Sequence, residues 1–245
     1  LANPDRHGIR LLSDIPYGQT GNASHRLDIY LPTHVQGKLP VVLYIHGGGF
    51  RYRSKNTHWM MALSYARQGF AVFNIDYRLA PTHRFPAALE DACAALAWVV
   101  EHAPEYGCDP ERLVLAGESA GANLATCLAI STSYRRKEPY AREIWERGIR
   151  PKAVAALCGI LQVSDPGRLI RKKKMNRWVR DRILEPSLGY LPRDESIDAT
   201  LADPIVFLEK AGKPRRKLPP FIISVGTKDP LLDDSRRLAA ELNRL

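Results

Sequence analysis

The sequence predicts an α/β domain built around a mostly parallel sheet, and two observations support that fold class. Short apolar runs typical of strands alternate along the chain with longer segments typical of helices. The apolar runs are almost continuous, as expected of strands that helices cover on both faces. The length of 245 residues is enough for one medium domain, so we expect a single domain over residues 1–245.

Six short apolar segments are predicted as strands, and four longer segments are predicted as helices. The predicted strands are 27–31, 41–45, 71–75, 113–116, 153–157 and 221–225. The predicted helices are 57–68, 86–101, 120–132 and 234–243. Pro86 suits the first turn of its helix, where a missing N–H costs nothing. Asp234 or Ser235 is expected to cap the last helix.

The polar stretch 162–203 breaks this alternation and is predicted to form a lid inserted between two strands. Within it, residues 168–182 hold eight Lys or Arg and one Asp. An apolar stripe at helical spacing runs through these charges and consists of Met175, Trp178, Val179 and Ile183. We interpret the segment as a lid helix that rests its apolar face on the body. Contact with a membrane surface of anionic lipid, or with an acidic acyl group, is the alternative.

The composition argues against several classes of protein. The longest apolar runs have nine residues, whereas a membrane-spanning helix needs about 20. The first residues lack an apolar signal core, and the four cysteines match no zinc or redox spacing, which favours reduced thiols in the cytoplasm. The net charge of +10 is accompanied by no nucleic-acid motif. No metal or organic cofactor is implied.

The sharpest local signal is GESAG at 117–121, which fits the pattern G-x-S-x-G between a predicted strand and a predicted helix. A turn this tight needs flanking residues without bulk, and Gly117 and Gly121 meet that need. The turn would raise the hydroxyl of Ser119 above the sheet edge, at the positive end of a helix. The alternative is a Gly/Ser turn that caps the helix.

A second signal is HGGGF at 46–50, directly after the predicted strand VVLYI. Consecutive glycines let the backbone direct its N–H groups towards one point. Such a loop, together with the N–H of Ala120, would form an oxyanion hole. The alternative is a phosphate-binding loop, which usually has Lys and Ser or Thr where this chain has Arg51 and Tyr52.

A third signal is Asp229, which follows the predicted strand FIISV. A carboxylate at the C-terminal end of a parallel strand points into the same crevice as the serine. There it would orient a histidine and stabilise the imidazolium. The alternative is an aspartate that caps the turn before Pro230.

Together these residues resemble the hormone-sensitive-lipase-like esterases, a branch of the α/β-hydrolase fold. The matching blocks, in the order of that family, are HGGGF at 46–50, DYRLAP at 76–81, FPAALED at 85–91, GESAGANLA at 117–125 and LPPFIISVGTKDPLLDD at 218–234. The resemblance implies that Ser119 is the nucleophile and Asp229 the acid of a triad. It also implies an oxyanion hole formed by the N–H groups of Gly48, Gly49 and Ala120. The expected activity is hydrolysis of small to medium carboxylic esters through an acyl-enzyme.

The chain departs from the family pattern in three places. Ala122 stands where a second glycine is usual, and the segment before the HGGGF block is short. No histidine follows His102. Because the triad order in this fold is Ser, Asp or Glu, then His, we expect the base to lie beyond Leu245 and the chain to be incomplete at its C-terminus. His83 is the one histidine of the chain kept as an alternative base.

Two other functions use the same blocks. One is an amidase, a formamidase, or an esterase that removes acetyl or feruloyl groups, because the same machinery serves these substrates. The other is a catalytically silent receptor of this fold that binds a small molecule in the crevice. A histidine on the final loop would favour the enzyme. The expected partner is a small-molecule ester, and a homodimer is left open.

Overall fold

The computed structural model describes residues 3–18, 21–172 and 176–245. The strands are β1 (Ile9–Pro16), β2 (Arg26–Pro32), β3 (Leu39–Ile45), β4 (Ala71–Ile75), β5 (Cys108–Glu118), β6 (Ala153–Leu157) and β7 (Phe221–Ser224). They form one sheet in the order β1-β2-β4-β3-β5-β6-β7. Strands β3 to β7 pair in parallel, whereas β1 and β2 are joined antiparallel. The prediction of a mostly parallel sheet is therefore confirmed.

Helices pack against this sheet, and one of them begins directly after the C-terminal end of β5. They are α1 (Trp59–Arg67), α2 (Ala87–His102), α3 (Ala120–Ser133), α4 (Pro139–Glu146), α5 (Gly167–Lys172), α6 (Arg177–Tyr190), α7 (Pro204–Lys210) and α8 (Leu232–Arg244). Helix α3 is the innermost of these, and all 14 of its residues are buried. Its burial fixes the loop that connects it to β5, which is the loop that holds Ser119.

Three elements were not predicted, and each is either at the sheet edge or short. Strand β1 lies at the sheet edge and buries only Ile9 completely. Helices α4 and α7 are short and begin at Pro139 and Pro204. The helix predicted over 57–68 begins later, because a 3-10 turn over Lys55–His58 precedes α1.

The segment 162–203 contains the whole of α5 and α6. Of the predicted apolar stripe, Ile183 is buried and Val179 is half-buried. Met175 lies outside the described residues, as do Lys173 and Lys174. Helix α6 therefore buries part of its apolar side.

The predicted cap of the last helix is wrong. Helix α8 begins at Leu232, and the carboxylate of Asp234 is completely buried in its first turn. There it forms a hydrogen-bonded ion pair with Arg168 and accepts the N–H of Leu161 at 2.8 Å. Burial raises the pKa of Asp234, and Arg168 only partly opposes that rise. The ion pair ties α5 to α8 and to the loop after β6.

We expect Asp234→Asn to lower the free energy of unfolding by about 3–5 kcal/mol, because it leaves the buried guanidinium of Arg168 without its counter-charge. Urea denaturation of both proteins measures the difference. Glu195→Gln is the matched control, since this carboxylate is exposed. A loss of stability no larger than that of the control would show that the ion pair does not hold these elements together.

Candidate active site

Ser119 occupies the sharp turn between β5 and α3. Its backbone has φ 53° and ψ −112°, a region that residues with a side chain rarely adopt. The N–H of Ser119 donates to the carbonyl of Leu157 at 2.9 Å, and its carbonyl accepts the N–H of Asn123 at 3.2 Å. The neighbouring strand and helix therefore hold the strained conformation in place.

The two glycines of this turn are required by close packing of backbone against backbone. A Cβ on Gly117 would lie 2.5 Å from the carbonyl carbon of Gly121. A Cβ on Gly121 would collide with the carbonyl oxygen of Ile45, the last residue of β3. The requirement for small flanking residues, which the sequence predicted, thus has its cause in the approach of α3 to the end of β3.

The glycine loop that follows β3 lies beside the serine. Gly48 has φ 122° and Gly49 has φ 60°, so both adopt conformations that favour glycine. The carbonyl of Gly48 accepts the N–H groups of Arg51 and Tyr52 at 3.1 and 3.0 Å, which locks the following turn onto the loop. A Cβ on Gly47 would lie 3.3 Å from the Cβ of Ser119, so the loop and the serine turn are in direct contact.

Glu118 links the loop to the serine turn, and sequence reasoning missed it. Its carboxylate accepts the N–H of Gly47 at 2.5 Å, the hydroxyl of Tyr44, and Nε2 of His58 at 2.7 Å. One feature of the sequence could have identified it: Glu118 is a charged residue at the end of a buried strand, where a carboxylate needs partners.

Glu118 and His58 form an ion pair. Burial raises the pKa of Glu118, but the hydrogen bonds from His58 and Tyr44 outweigh burial and hold that pKa below its usual range. Burial likewise lowers the pKa of His58, yet the carboxylate of Glu118 outweighs it and raises that pKa. Nδ1 of His58 lies 2.9 Å from Oγ1 of Thr57. Both ring nitrogens of His58 are therefore occupied.

His46 is buried and neutral. Burial lowers its pKa to about 4. Its Nδ1 lies 2.7 Å from the carbonyl oxygen of Gly47, and its ring stacks on Tyr77 with 4.4 Å between centroids. The hydroxyl of Tyr77 donates to the carbonyl of His46 at 2.9 Å. This packing holds the start of the glycine loop from behind.

A cavity of about 510 Å³ joins the predicted site residues. Ser119, Gly48, Gly49 and Asp229 all line it. The carboxylate of Asp229 accepts the N–H of Leu231 at 2.8 Å. Ala120, the remaining predicted residue, is fully buried as the first residue of α3 and does not line the cavity with its side chain.

Among the described histidines, only His58 lines this cavity. His83 does not line it. The apolar wall of the cavity comes from Ile160 and from Val179, Ile183 and Pro186 of α6. The site thus lies between the C-terminal edge of the sheet and the segment predicted as a lid.

Within the described part of the chain, no three His, Cys, Asp or Glu side chains are grouped as metal ligands. No helix there has the length and apolar character needed to cross a membrane. The four cysteines are unpaired, and burial raises the pKa of Cys158, which lies after β6.

A parallel sheet whose central strand leads through a strained serine turn into a buried helix defines the class of α/β hydrolases. A family model described as alpha/beta hydrolase fold matches residues 42–245. The esterase LipI of Mycobacterium tuberculosis is 34% identical over 248 residues, covering 96% of this chain and 68% of LipI. The chain belongs to the hormone-sensitive-lipase-like family of α/β hydrolases, as the sequence blocks predicted.

Other similar proteins are also named as esterases. Carboxylesterase NlhH of Mycobacterium tuberculosis is 43% identical over 113 residues, and this match spans 46% of the chain but only 35% of NlhH. The structure of a bacterial heroin esterase has a TM-score of 0.74 at 28% identity and covers 96% of this chain and 71% of its own. The carboxylesterase EstE1, cloned from a metagenomic library, has a TM-score of 0.75 at 28% identity, with 96% and 74% covered.

We expect Gly121→Ala to lower the free energy of unfolding by about 1–3 kcal/mol, which is the usual cost of overpacking a filled site. The added methyl group would push α3 away from the carbonyl of Ile45. Thermal unfolding measures the change. Gly212→Ala is the control, because a Cβ there meets nothing within 4 Å. Equal melting temperatures for the two variants would contradict the close packing of the serine turn.

We expect Glu118→Gln to bring the pKa of His58 below its ordinary value of 6.5, because burial then acts without the opposing carboxylate. Titration of the imidazole by NMR measures this pKa, with Glu111→Gln as an exposed control.

The ion pair stabilises the fold above the usual pKa of Glu118 near 4.5 and below that of His58 near 6.5. The stability difference from wild type should be largest in that window, and an unchanged pKa would contradict the pairing.

Proposed function

We propose that this protein hydrolyses carboxylic esters with Ser119 as the nucleophile. The observation that carries the proposal is one cavity lined by Ser119, by the glycine loop and by Asp229. The esterase names of LipI, NlhH and the similar solved structures support the same activity. The strained backbone of Ser119 supports it further, because such strain is kept where a function uses it.

In the proposed mechanism, the hydroxyl oxygen of Ser119 attacks the ester carbonyl carbon. The N–H groups of Gly48, Gly49 and Ala120 stabilise the oxyanion that forms; loss of one such donor costs about 10²–10³ in rate. A histidine takes the proton of Ser119 and gives it to the leaving alcohol, and Asp229 orients that histidine. Water then hydrolyses the acyl-enzyme.

We assign the base to a histidine beyond Leu245, on the final loop expected from the order of the triad. The occupied ring nitrogens of His58 argue against it as a base. The position of His83 outside the cavity lining argues against His83. Asp229 has no salt-bridge partner among the described residues, which leaves its carboxylate available to such a histidine.

The cavity favours a small to medium substrate. Its volume of about 510 Å³ lies in the lower half of the range of about 300–1,000 Å³ that is usual for small-molecule sites. Val179, Ile183 and Pro186 provide an apolar wall, which suits an acyl chain. We therefore propose that the segment 162–203 is a lid that forms one side of the substrate site.

Hydrolysis of p-nitrophenyl acetate tests the proposal. We expect almost no turnover by the 245-residue chain, and turnover by a longer polypeptide of the same gene that carries the expected histidine. In the longer polypeptide, Ser119→Ala should lower kcat by about 10⁶-fold, the loss seen on removal of the serine from subtilisin. Ser13→Ala is the control, because Ser13 is exposed on the edge strand β1.

Two outcomes would contradict the mechanism. Equal activity in the short and long polypeptides would show that the base lies within the 245 residues. Activity that survives Ser119→Ala would show that the nucleophile is another group. A long polypeptide without a histidine on its final loop, and without turnover, would favour the receptor over the enzyme.

A further inference from the structure

We propose that the substrate of this site is an ester that carries a carboxylate in its acid or alcohol part, and that Arg51 and Arg53 bind this carboxylate. The inference rests on the proposed ester hydrolysis and specifies its substrate class. Both arginines line the cavity that contains Ser119, directly beside the glycine loop. A guanidinium is the side chain best suited to hold a carboxylate through two parallel hydrogen bonds.

The turn that carries the arginines is fixed to the glycine loop. The N–H groups of Arg51 and Tyr52 donate to the carbonyl of Gly48, and the carbonyl of Tyr52 fills the space beside the Cα of Gly48. The backbone of the two arginines therefore has a set position relative to the proposed oxyanion hole. A substrate held by them would have its ester carbonyl placed by the same loop.

Arg53 is held over the loop by a strained backbone. Its φ is 79°, a conformation that glycine or asparagine would adopt at lower cost. The Cγ of Arg53 lies 2.8 Å from where a Cβ on Gly48 would be, so the aliphatic stem of the arginine covers that glycine. Within the part of the chain that the structure describes, Arg53 makes no ion pair. Its charge is available to a ligand in the cavity.

Arg51 is positioned from the other side, by the end of α6. Its Cδ lies 2.9 Å from where a Cβ on Gly189 would be, and Nη1 donates to the carbonyl of Glu185 at 3.4 Å. The Nε of Arg51 is buried and has no hydrogen-bond acceptor among the described residues. Because this Nε is buried, a carboxylate in the cavity would have to bind the Nη groups of Arg51, which lines the cavity.

Among the described residues, the acidic groups of the cavity form no ion pair with Arg51 or Arg53. Glu118 is already paired with His58. Asp229 accepts the N–H of Leu231 and is assigned to the triad histidine. Glu185 is the remaining carboxylate of the lining. With Glu118 balanced by His58, two guanidinium groups and two carboxylates, Asp229 and Glu185, remain in the lining, and a ligand carboxylate would compete with Glu185 for the arginines.

The shape of the cavity separates this basic part from an apolar part. The basic part is formed by consecutive residues after the glycine loop, whereas the apolar wall comes from α6 and from Ile160. A ligand that fits both parts has a carboxylate at one end and an apolar portion near the ester. Half-esters of short dicarboxylic acids have this chemistry.

Two probes of equal chain length test the proposal. They are the mono-p-nitrophenyl ester of glutaric acid, which carries a carboxylate, and p-nitrophenyl pentanoate, which is neutral. We expect the longer polypeptide described above to show a higher kcat/KM for the glutarate ester. In both Arg53→Gln and Arg51→Gln, kcat/KM for the anionic ester divided by kcat/KM for the neutral ester should fall at least tenfold. Arg67→Gln is the control, because Arg67 lies at the end of α1 and outside the cavity lining. This variant should leave the ratio unchanged.

Binding to the 245-residue chain gives a readout that does not need turnover. We expect monoethyl glutarate to bind in isothermal titration calorimetry, with at least tenfold weaker binding to Arg53→Gln. Glu185→Gln should bind it more tightly, because the competing carboxylate is removed. An unchanged ester ratio and unchanged binding in both arginine variants would overturn the inference. Arginine-dependent binding without hydrolysis of either ester would support the carboxylate site and contradict the proposed activity instead.

Discussion

The contact between the end of β3 and the start of α3 is the constraint on which the site depends. At this point the carbonyl of Ile45 occupies the space where a side chain on Gly121 would be. The contact sets the distance between the strand that leads into the glycine loop and the helix that follows Ser119. Because every residue of α3 is buried, the strained backbone of Ser119 cannot relax without opening the core.

An electrostatic constraint acts on the same loop. Glu118 precedes Ser119 in the chain, and its carboxylate accepts the N–H of Gly47. A carboxylate at the end of a buried strand is costly unless it is paired, and His58 provides the opposite charge. The pair has no net charge, so the field in the cavity is set by Asp229, Glu185 and the arginines that follow the loop.

Much of the fold could be predicted, because the central strands are buried on both faces and read as continuous apolar runs. The limits of this signal are visible at β1, which buries one residue, and at β5, which begins with the polar residues after Cys108. Asp234 shows a different limit. Local sequence suggests a helix cap, whereas the observed partner, Arg168, is 66 residues away. No pattern of spacing indicates a contact of that kind.

The same distinction applies to the candidate site. Gly48, Gly117 and Gly121 could be predicted because they act through the backbone: a positive φ or a close approach demands glycine, and that demand is visible in the residue type. For a charged side chain, the residue type does not show what the side chain contacts. Arg53 and Arg67 cannot be distinguished by residue type. Only the structure shows that Arg53 lines the cavity beside the glycine loop, whereas Arg67 lies at the end of α1. Residues that act through the backbone therefore predict a reaction class from the sequence, whereas a substrate has to be inferred from the structure.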